Sequence, residues 1–378
     1  MERSPIDSLI CLRPFYSLEL NLRGDVSVCC PAWVRGMIGN IKKNSLLDIW
    51  NDKPVRNMRR MMLEGRWEKI CRPTCPVVMN YRHTKQQIDL DIARSHTLTE
   101  ELISEIKSNR VNLMTRPTWI NFANSRICNL NCVMCGGAYF KEDKLLTDKA
   151  MVEVEAFLSD VRELFLTGHG DPFARPDTRK LLLNLDSSVY SRLRINLLTN
   201  GLLLPVYWER IRHLNFGFIN ISVDAATKRT YEQIRKNGKW EDLIRAFEVV
   251  QANRSKFDSA MINMTVMRSN YREIPVFIDL ASRFGFSVGI NKVRGRWGDE
   301  NFFTSSESDT FEQLTNILRD AAEKAKALSV PFDYGTFIDI LEGRHMPMVQ
   351  RNRQKVNDTL KYIFYKAKSF KSVFDFRV

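Results

Sequence analysis

Three cysteines, Cys128, Cys132 and Cys135, fall within one short loop of a 378-residue chain that holds only eight. The residues between them, Asn129-Leu130-Asn131 and Val133-Met134, read as a turn-rich stretch. Thiolates at this spacing reach three corners of a cubane iron-sulfur cluster and leave its fourth iron without a protein ligand. Such an iron is a binding site. A redox dithiol and zinc are the competing readings, and zinc requires a fourth nitrogen or sulfur ligand at a matching spacing. No cysteine follows Cys135, and the nearest downstream histidine, His169, lies far along the chain. The cluster reading is therefore preferred.

The other five cysteines, Cys11, Cys29, Cys30, Cys71 and Cys75, all lie in the opening segment. Tyr16 to Leu22 alternates apolar and polar residues, passes through the turn Arg23-Gly24-Asp25 and continues as Val26 to Cys29, the pattern of a hairpin ending in thiols. Gly39-Asn40, a short helical stretch from Ser45 to Asn51, a helix from Pro54 to Glu64 and Cys71-x3-Cys75-Pro76 follow. Four thiolates would fill every ligand position of a second cubane, and they would also suit a zinc-stabilised mini-domain.

The elements that must position these thiols are legible from periodicity. From Thr84 to Arg110 a charged stretch with an apolar stripe, including Ile88, Ile92 and Leu102, predicts one or two linking helices, with His83 and His96 as surface residues. Beyond Arg116-Pro117, six strands alternate with helical stretches: Trp119 to Ala123, Arg162 to Thr167, Leu193 to Thr199, Phe218 to Val223, Met261 to Met267 and Phe286 to Lys292. The first strand feeds the cysteine loop, and a helix is expected near Thr147 to Ser159. This alternation predicts an α/β fold with a parallel sheet, and six repeats are too few to close an eightfold barrel. In such folds ligands bind at the carboxyl ends of the strands. Gly295-Arg296-Trp297-Gly298 reads as a loop, Thr310 to Leu328 as a long amphipathic helix, and the basic segment Val356 to Val378 as a docked terminal helix.

Together with the strand ends, the cysteine loop resembles the cluster-binding signature of the radical S-adenosylmethionine (radical SAM) superfamily. The opening segment, over residues 11 to 76, resembles the SPASM/twitch auxiliary-cluster module found on many of its members. The resemblance implies a partial (β/α)6 TIM-like barrel over residues 118–293, a small α+β auxiliary module over 1–80, a helical linker over 81–117 and a C-terminal helical extension over 294–378. It implies a 4Fe-4S cluster on Cys128, Cys132 and Cys135 that binds S-adenosylmethionine. An auxiliary 4Fe-4S cluster would sit on Cys11, Cys29, Cys71 and Cys75, with Cys29 preferred over Cys30 by the glycine-x4-cysteine spacing.

For the cofactor site, the stretch Gly168-His169-Gly170-Asp171-Pro172 resembles the family's Gly-Glu-Pro motif, with Asp171 where glutamate is usual. Met134 stands where an aromatic residue is frequent, and its side chain would pack on the adenine. Asn200 at the end of the third strand, Ser222 at the end of the fourth and Arg235 beyond it complete the implied contacts, Arg235 as a clamp for the methionyl carboxylate. In the family the auxiliary module usually follows the barrel; here it comes first.

The implied activity is reductive cleavage of S-adenosylmethionine to a 5′-deoxyadenosyl radical that abstracts hydrogen from substrate, oxidising, crosslinking or epimerising a ribosomally made peptide. Cys30, uncommitted to either cluster, is the candidate hydrogen donor for epimerisation. The alternatives are an epimerase or dehydrogenase of a sugar, aminoglycoside or other small molecule, an RNA-methylating enzyme, and a non-catalytic iron-sulfur protein. A peptide or small-molecule substrate and an electron donor such as flavodoxin or ferredoxin are the expected partners.

The formal charge of +13 suits an anionic partner, but without long Lys/Arg blocks it reads as solvated surface, and nucleic acid is not expected. The start lacks the pattern of a secretory signal, and no segment approaches the roughly twenty apolar residues of a membrane span. A cytoplasmic location, where clustered thiols bind metal rather than form disulfides, is expected.

Overall fold

The computed structural model describes residues 9–84, 97–135, 143–168, 170–295, 297–304 and 308–337. His96, His169, Arg296, Ile88, Ile92 and the basic segment 356–378 lie outside them. The chain divides into two compact units, Met1–Ser222 with Arg235–Met261, and Val223–Ile234 with Ile262–Val378.

The first unit is built on one sheet. Its strands are β1 (Ser17–Asn21), β2 (Asp25–Ser27), β3 (Gly39–Asn40), β4 (Trp119–Ala123), β5 (Glu163–Leu166), β6 (Arg194–Thr199) and β7 (Phe216–Ser222), in the spatial order β7-β6-β5-β4-β1-β2-β3. Neighbours from β4 to β7 are parallel, with Ile120 opposite Leu164, Leu164 opposite Ile195 and Leu197 opposite Ile219. One face is fully apolar. Ile120, Phe122, Leu164, Leu166, Ile195, Leu197, Ile219 and Ile221 are each no more than 1% exposed, and each such burial stabilises by about 1.5–3 kcal/mol. The other face carries Trp119, Asn121, Phe165, Asn220 and Ser222, all half-buried. A parallel sheet in a closed core would be apolar on both faces; this one alternates.

The hairpin β1–β2 was legible in the sequence, but its neighbour was not. β1 lies parallel to β4 over five pairs, Ser17 opposite Trp119 through Asn21 opposite Ala123. The auxiliary module thus extends the barrel sheet beyond its first strand. Buried Arg59 secures this junction. On the helix Lys53–Leu63, it donates to the carbonyls of Pro14 (2.9 Å), Trp50 (2.9 Å) and Val111 (2.9 Å) and stacks over the Trp50 ring at 4.2 Å. Trp50 Nε1 donates to Thr115 O and Asn51 Nδ2 to Leu113 O, so the segment entering β4 is fastened to the module. Leu46 N donates to Glu153 on the helix Lys144–Glu155 at 2.8 Å. In the linker a single described helix, Glu100–Lys107, starts where the Thr99 hydroxyl accepts from Leu102 N.

The second unit contains β9 (Ser287–Lys292) and β10 (Phe332–Asp333), paired in parallel, and most of β8 (Ser259–Val266). The helices Ile274–Phe284 and Ser308–Ala327 pack in this unit, the latter close to the span the sequence predicts. Gly285, at φ 72°, closes the first of them. Asp224, at φ 63°, holds the turn after β7: its carboxylate accepts from Thr265 N at 2.6 Å and its carbonyl from Asn270 Nδ2 at 2.8 Å. From β4 to β9 strands and helices alternate in chain order, and among the described residues of the first unit the strand order is linear rather than cyclic. This is an open α/β barrel, as expected.

Candidate active site

β4 leads directly into the cysteine loop. Ser125 Oγ accepts from Ile127 N at 3.1 Å, turning the chain, and Leu130 N donates to Cys128 Sγ at 3.4 Å. Cys135 N closes on Cys132 O at 3.1 Å, and Asn131 N is held by Lys236 O at 3.0 Å. Cys132 is buried, Cys128 and Met134 are half-buried and Cys135 is exposed.

The loop after β5 lies directly against this one. A Cβ on Gly170 would stand 2.2 Å from the carbonyl oxygen of Ile127, and one on Gly168, at φ 130°, would meet Ser125 O at 3.1 Å. Asp171 N donates to that same Ile127 oxygen at 2.9 Å. The glycines are thus demanded by the backbone approach of the two loops, a reason independent of any ligand. Pro172, next in the motif, is buried.

Asp171 is 1% exposed. Its carboxylate accepts from Thr199 Oγ1 (2.6 Å), Asn200 N (2.8 Å), Phe173 N (2.9 Å) and Ala174 N (3.4 Å). Burial pushes its carboxyl above the ordinary range, and these four donors oppose the shift. The side chain therefore joins the glycine loop to the end of β6. From there Asn200 Nδ2 donates to Asn129 Oδ1 at 2.8 Å and lies 3.6 Å from Cys128 Sγ. The ends of β4, β5 and β6 are thereby tied around one thiol.

Burial pushes the Cys128 thiol up to about 11; the Leu130 amide opposes this, Asp171 and Cys132 add to it, and the Arg235 charge opposes it. Arg235 is buried, immediately beyond the helix Lys228–Ile234, and Ser222 is the half-buried last residue of β7.

The second thiol group is gathered around a cavity of about 170 Å³ lined by Cys11, Cys29, Cys71 and Cys75 with Val28, Val34, Met62, Ile70 and Val78. Three local features bring the cysteines together. β2 runs toward Cys29, residues 33–35 pair with 70–72 through Val34 and Cys71, and a turn from Arg72 to Cys75 starts the helix Pro76–Thr84. Cys30 is not among the lining residues; its carbonyl accepts from Trp33 N and Val34 N. Burial drives the Cys29 and Cys71 thiols up to about 12 each.

Among the described residues no three His, Cys, Asp or Glu side chains meet tightly enough for a single metal ion. A cubane, whose irons are spread by bridging sulfides, needs thiols around a volume instead, and four thiols around one apolar cavity meet that need. The three-thiol loop, with Cys135 exposed, suits a cluster that keeps one iron for an exchangeable ligand.

Two family models match the chain: the radical SAM superfamily over residues 125–281, and the SPASM iron-sulfur cluster-binding domain over residues 11–76. The chain carries a radical SAM domain and a SPASM domain. Its SPASM domain precedes its radical SAM domain, and the two domains imply a 4Fe-4S cluster that binds S-adenosylmethionine together with auxiliary iron-sulfur ligation. The chain is 31% identical to an AdoMet-dependent heme synthase of Methanosarcina barkeri over 42% of this chain and 45% of that one. It is 26% identical to the mycofactocin maturase of Mycobacterium tuberculosis over 47% of this chain and 45% of that one. The matched stretches thus span a little under half the length of these relatives. Streptococcus suis SuiB bound to S-adenosylmethionine aligns with a TM-score of 0.47 at 12% identity, covering 68% of this chain and 61% of that one. No helix among the described residues is long and apolar enough to cross a membrane.

Sequence reasoning did not single out Arg13, Glu19, Asn121, Thr167 or Arg59. Glu19 and Asn121 face each other across β1 and β4, Asn121 hydrogen-bonds the Glu19 carboxylate, and Thr167 Oγ1 donates to Asn121 Oδ1 at 2.6 Å. For Glu19 and Asn121 the sequence signal was a polar residue at alternate positions of otherwise apolar strands.

Proposed function

We propose that this radical SAM enzyme oxidises a peptide substrate, by dehydrogenation or crosslinking. The observation that carries the reading is the in-register pairing of β1 with β4, which puts the strand beside the four-thiol cavity next to the strand that enters the three-thiol loop. Bound at these two places, the clusters supply one-electron cleavage of S-adenosylmethionine to a hydrogen-abstracting 5′-deoxyadenosyl radical and a store for the electron left on substrate.

The chain's own residues would do the rest. Cys128, Cys132 and Cys135 would hold the cofactor-binding cluster, and Cys11, Cys29, Cys71 and Cys75 the auxiliary one. Gly168, Gly170, Asp171 and Pro172 would shape the floor on which the methionyl group lies. Asn200 and Ser222 would orient the cofactor, Met134 would cover its adenine and the Arg235 guanidinium would pair with its carboxylate. Trp119, Asn121 and Phe165 on the open face of the sheet would offer aromatic surface and an amide to the substrate, a combination suited to a peptide backbone. The mycofactocin maturase among its relatives supports a peptide, and the setting is taken to be cytoplasmic, with a flavodoxin or ferredoxin as reductant.

The test is anaerobic incubation of the iron-loaded enzyme with S-adenosylmethionine, dithionite and the short peptides encoded beside its gene, read by mass spectrometry. Loss of two hydrogen masses from a peptide, matched by 5′-deoxyadenosine formation, supports the reading. Unchanged peptides alongside turnover of a sugar or other small molecule would replace it.

A further inference from the structure

Arg13 is the only charged side chain among the described residues that line the four-thiol cavity; the remaining lining is thiol, aliphatic, proline, methionine and Trp33. Its guanidinium carbon sits 4.4 Å from the centre of the Trp119 ring on β4 and 5.9 Å from that of Tyr16. Trp119 in turn packs on Phe165 of β5, with ring centres 4.8 Å apart. A cation that belongs to the auxiliary module is thus seated on an aromatic ring of the barrel, and the two rings continue from it along the open face of the sheet.

We propose that Arg13, clamped on Trp119, is the residue that balances charge at the auxiliary site and sets the reduction potential of the cluster held there. This rests on the auxiliary-cluster reading. Reduction adds one negative charge to a group already surrounded by four thiolates, in an apolar cavity where a nearby cation is weakly screened. A fixed guanidinium stabilises the reduced form more than the oxidised form and raises the potential. Stacking on Trp119 keeps the plane of the guanidinium in place, so a change at the barrel's open face that moves Trp119 would be felt at the auxiliary site.

The test uses full-length protein in which Cys128, Cys132 and Cys135 are replaced by alanine, so that only the auxiliary cluster reports. Iron content and the midpoint potential, from redox titration followed by electron paramagnetic resonance, are read together. Arg13→Gln is expected to retain iron and shift the midpoint to a more negative potential. Arg13→Lys should hold near the parent value, and Trp119→Leu should shift it in the same direction as Arg13→Gln but by less. A parent that binds no iron would defeat the auxiliary-cluster reading itself. A parent with its cluster and an Arg13→Gln midpoint that does not move would overturn the role of Arg13 alone. If Arg13→Gln fails to load iron, the comparison passes to Arg13→Lys and Trp119→Leu: a more negative midpoint in Trp119→Leu supports the proposal, and identical midpoints overturn it.

Discussion

Asp171 Oδ2 accepts a 2.6 Å hydrogen bond from Thr199 Oγ1, joining the glycine loop after β5 to the end of β6. The same oxygen accepts from Asn200 N, while Oδ1 accepts from Phe173 N and Ala174 N. In Asp171→Asn the new amide group must point at a backbone N–H in either orientation. Leaving such donors unpaired costs about 2–3 kcal/mol. Thermal unfolding should show that loss, and the affinity for S-adenosylmethionine should fall with it, because Asn200 no longer has a fixed place beside Cys128. Unchanged stability would mean that the carboxylate is not the tie described.

Gly170→Ala tests the approach of the two loops. Its methyl group would sit 2.2 Å from Ile127 O, too close for either backbone to stay where it is. Iron bound at the cysteine loop should drop while the auxiliary site keeps its iron. Equal iron content in the variant and the parent would contradict the geometry.

Arg59→Met removes a guanidinium from the buried carbonyls of Pro14 and Trp50, the part-buried carbonyl of Val111 and the Asn51 side chain. A methionine fills much of the volume but makes none of those bonds, so a loss of about 3 kcal/mol is expected from the unpaired acceptors. Denaturant unfolding checks it. A change below about 0.5 kcal/mol, the range of ordinary surface substitutions, would show that the junction does not depend on this residue.

The buried thiols predict a pH dependence with a definite sign. Cys29 and Cys71 are raised from 9.0 to about 12, and Cys128 from 9.0 to about 11. A raised folded-state value means that the iron-free fold holds these protons where the unfolded chain has begun to lose them. Its stability is therefore full below pH 9 and declines as pH rises toward 11 and 12. Iron-loaded protein carries the same sulfurs as ligands and should not show that decline, while loading should release protons and proceed faster at higher pH. Parallel melting curves of the two forms from pH 8 to 11 provide the measurement.

The close spacing of Cys128, Cys132 and Cys135 and the six strands could be read from the chain because each is local, whereas the grouping of Cys11, Cys29, Cys71 and Cys75 was implied only by the resemblance. β1 beside β4 could not, since the pairing joins residues about a hundred positions apart and nothing in either strand names its partner. Asp171 read as a motif carboxylate, whereas the structure shows how fully its oxygens are engaged, a matter of burial that spacing does not encode. Gly170 read only as part of a glycine motif; the neighbour that requires it, Ile127 O, became visible only in the fold. Arg13 and Arg59 were two among many basic residues. What distinguishes them is the cavity one lines and the carbonyls the other collects.

The central claim is that two sets of thiols do two jobs, one starting the reaction and the other completing it. The most direct measurement compares iron content and 5′-deoxyadenosine formation in three anaerobically loaded proteins: the parent, a Cys128→Ala, Cys132→Ala, Cys135→Ala variant, and a Cys71→Ala, Cys75→Ala variant. The parent should hold about eight irons, as expected for two cubanes. The first variant should lose S-adenosylmethionine cleavage entirely, and the second should retain cleavage while losing substrate turnover. Cleavage that survives replacement of Cys128, Cys132 and Cys135 would contradict the account.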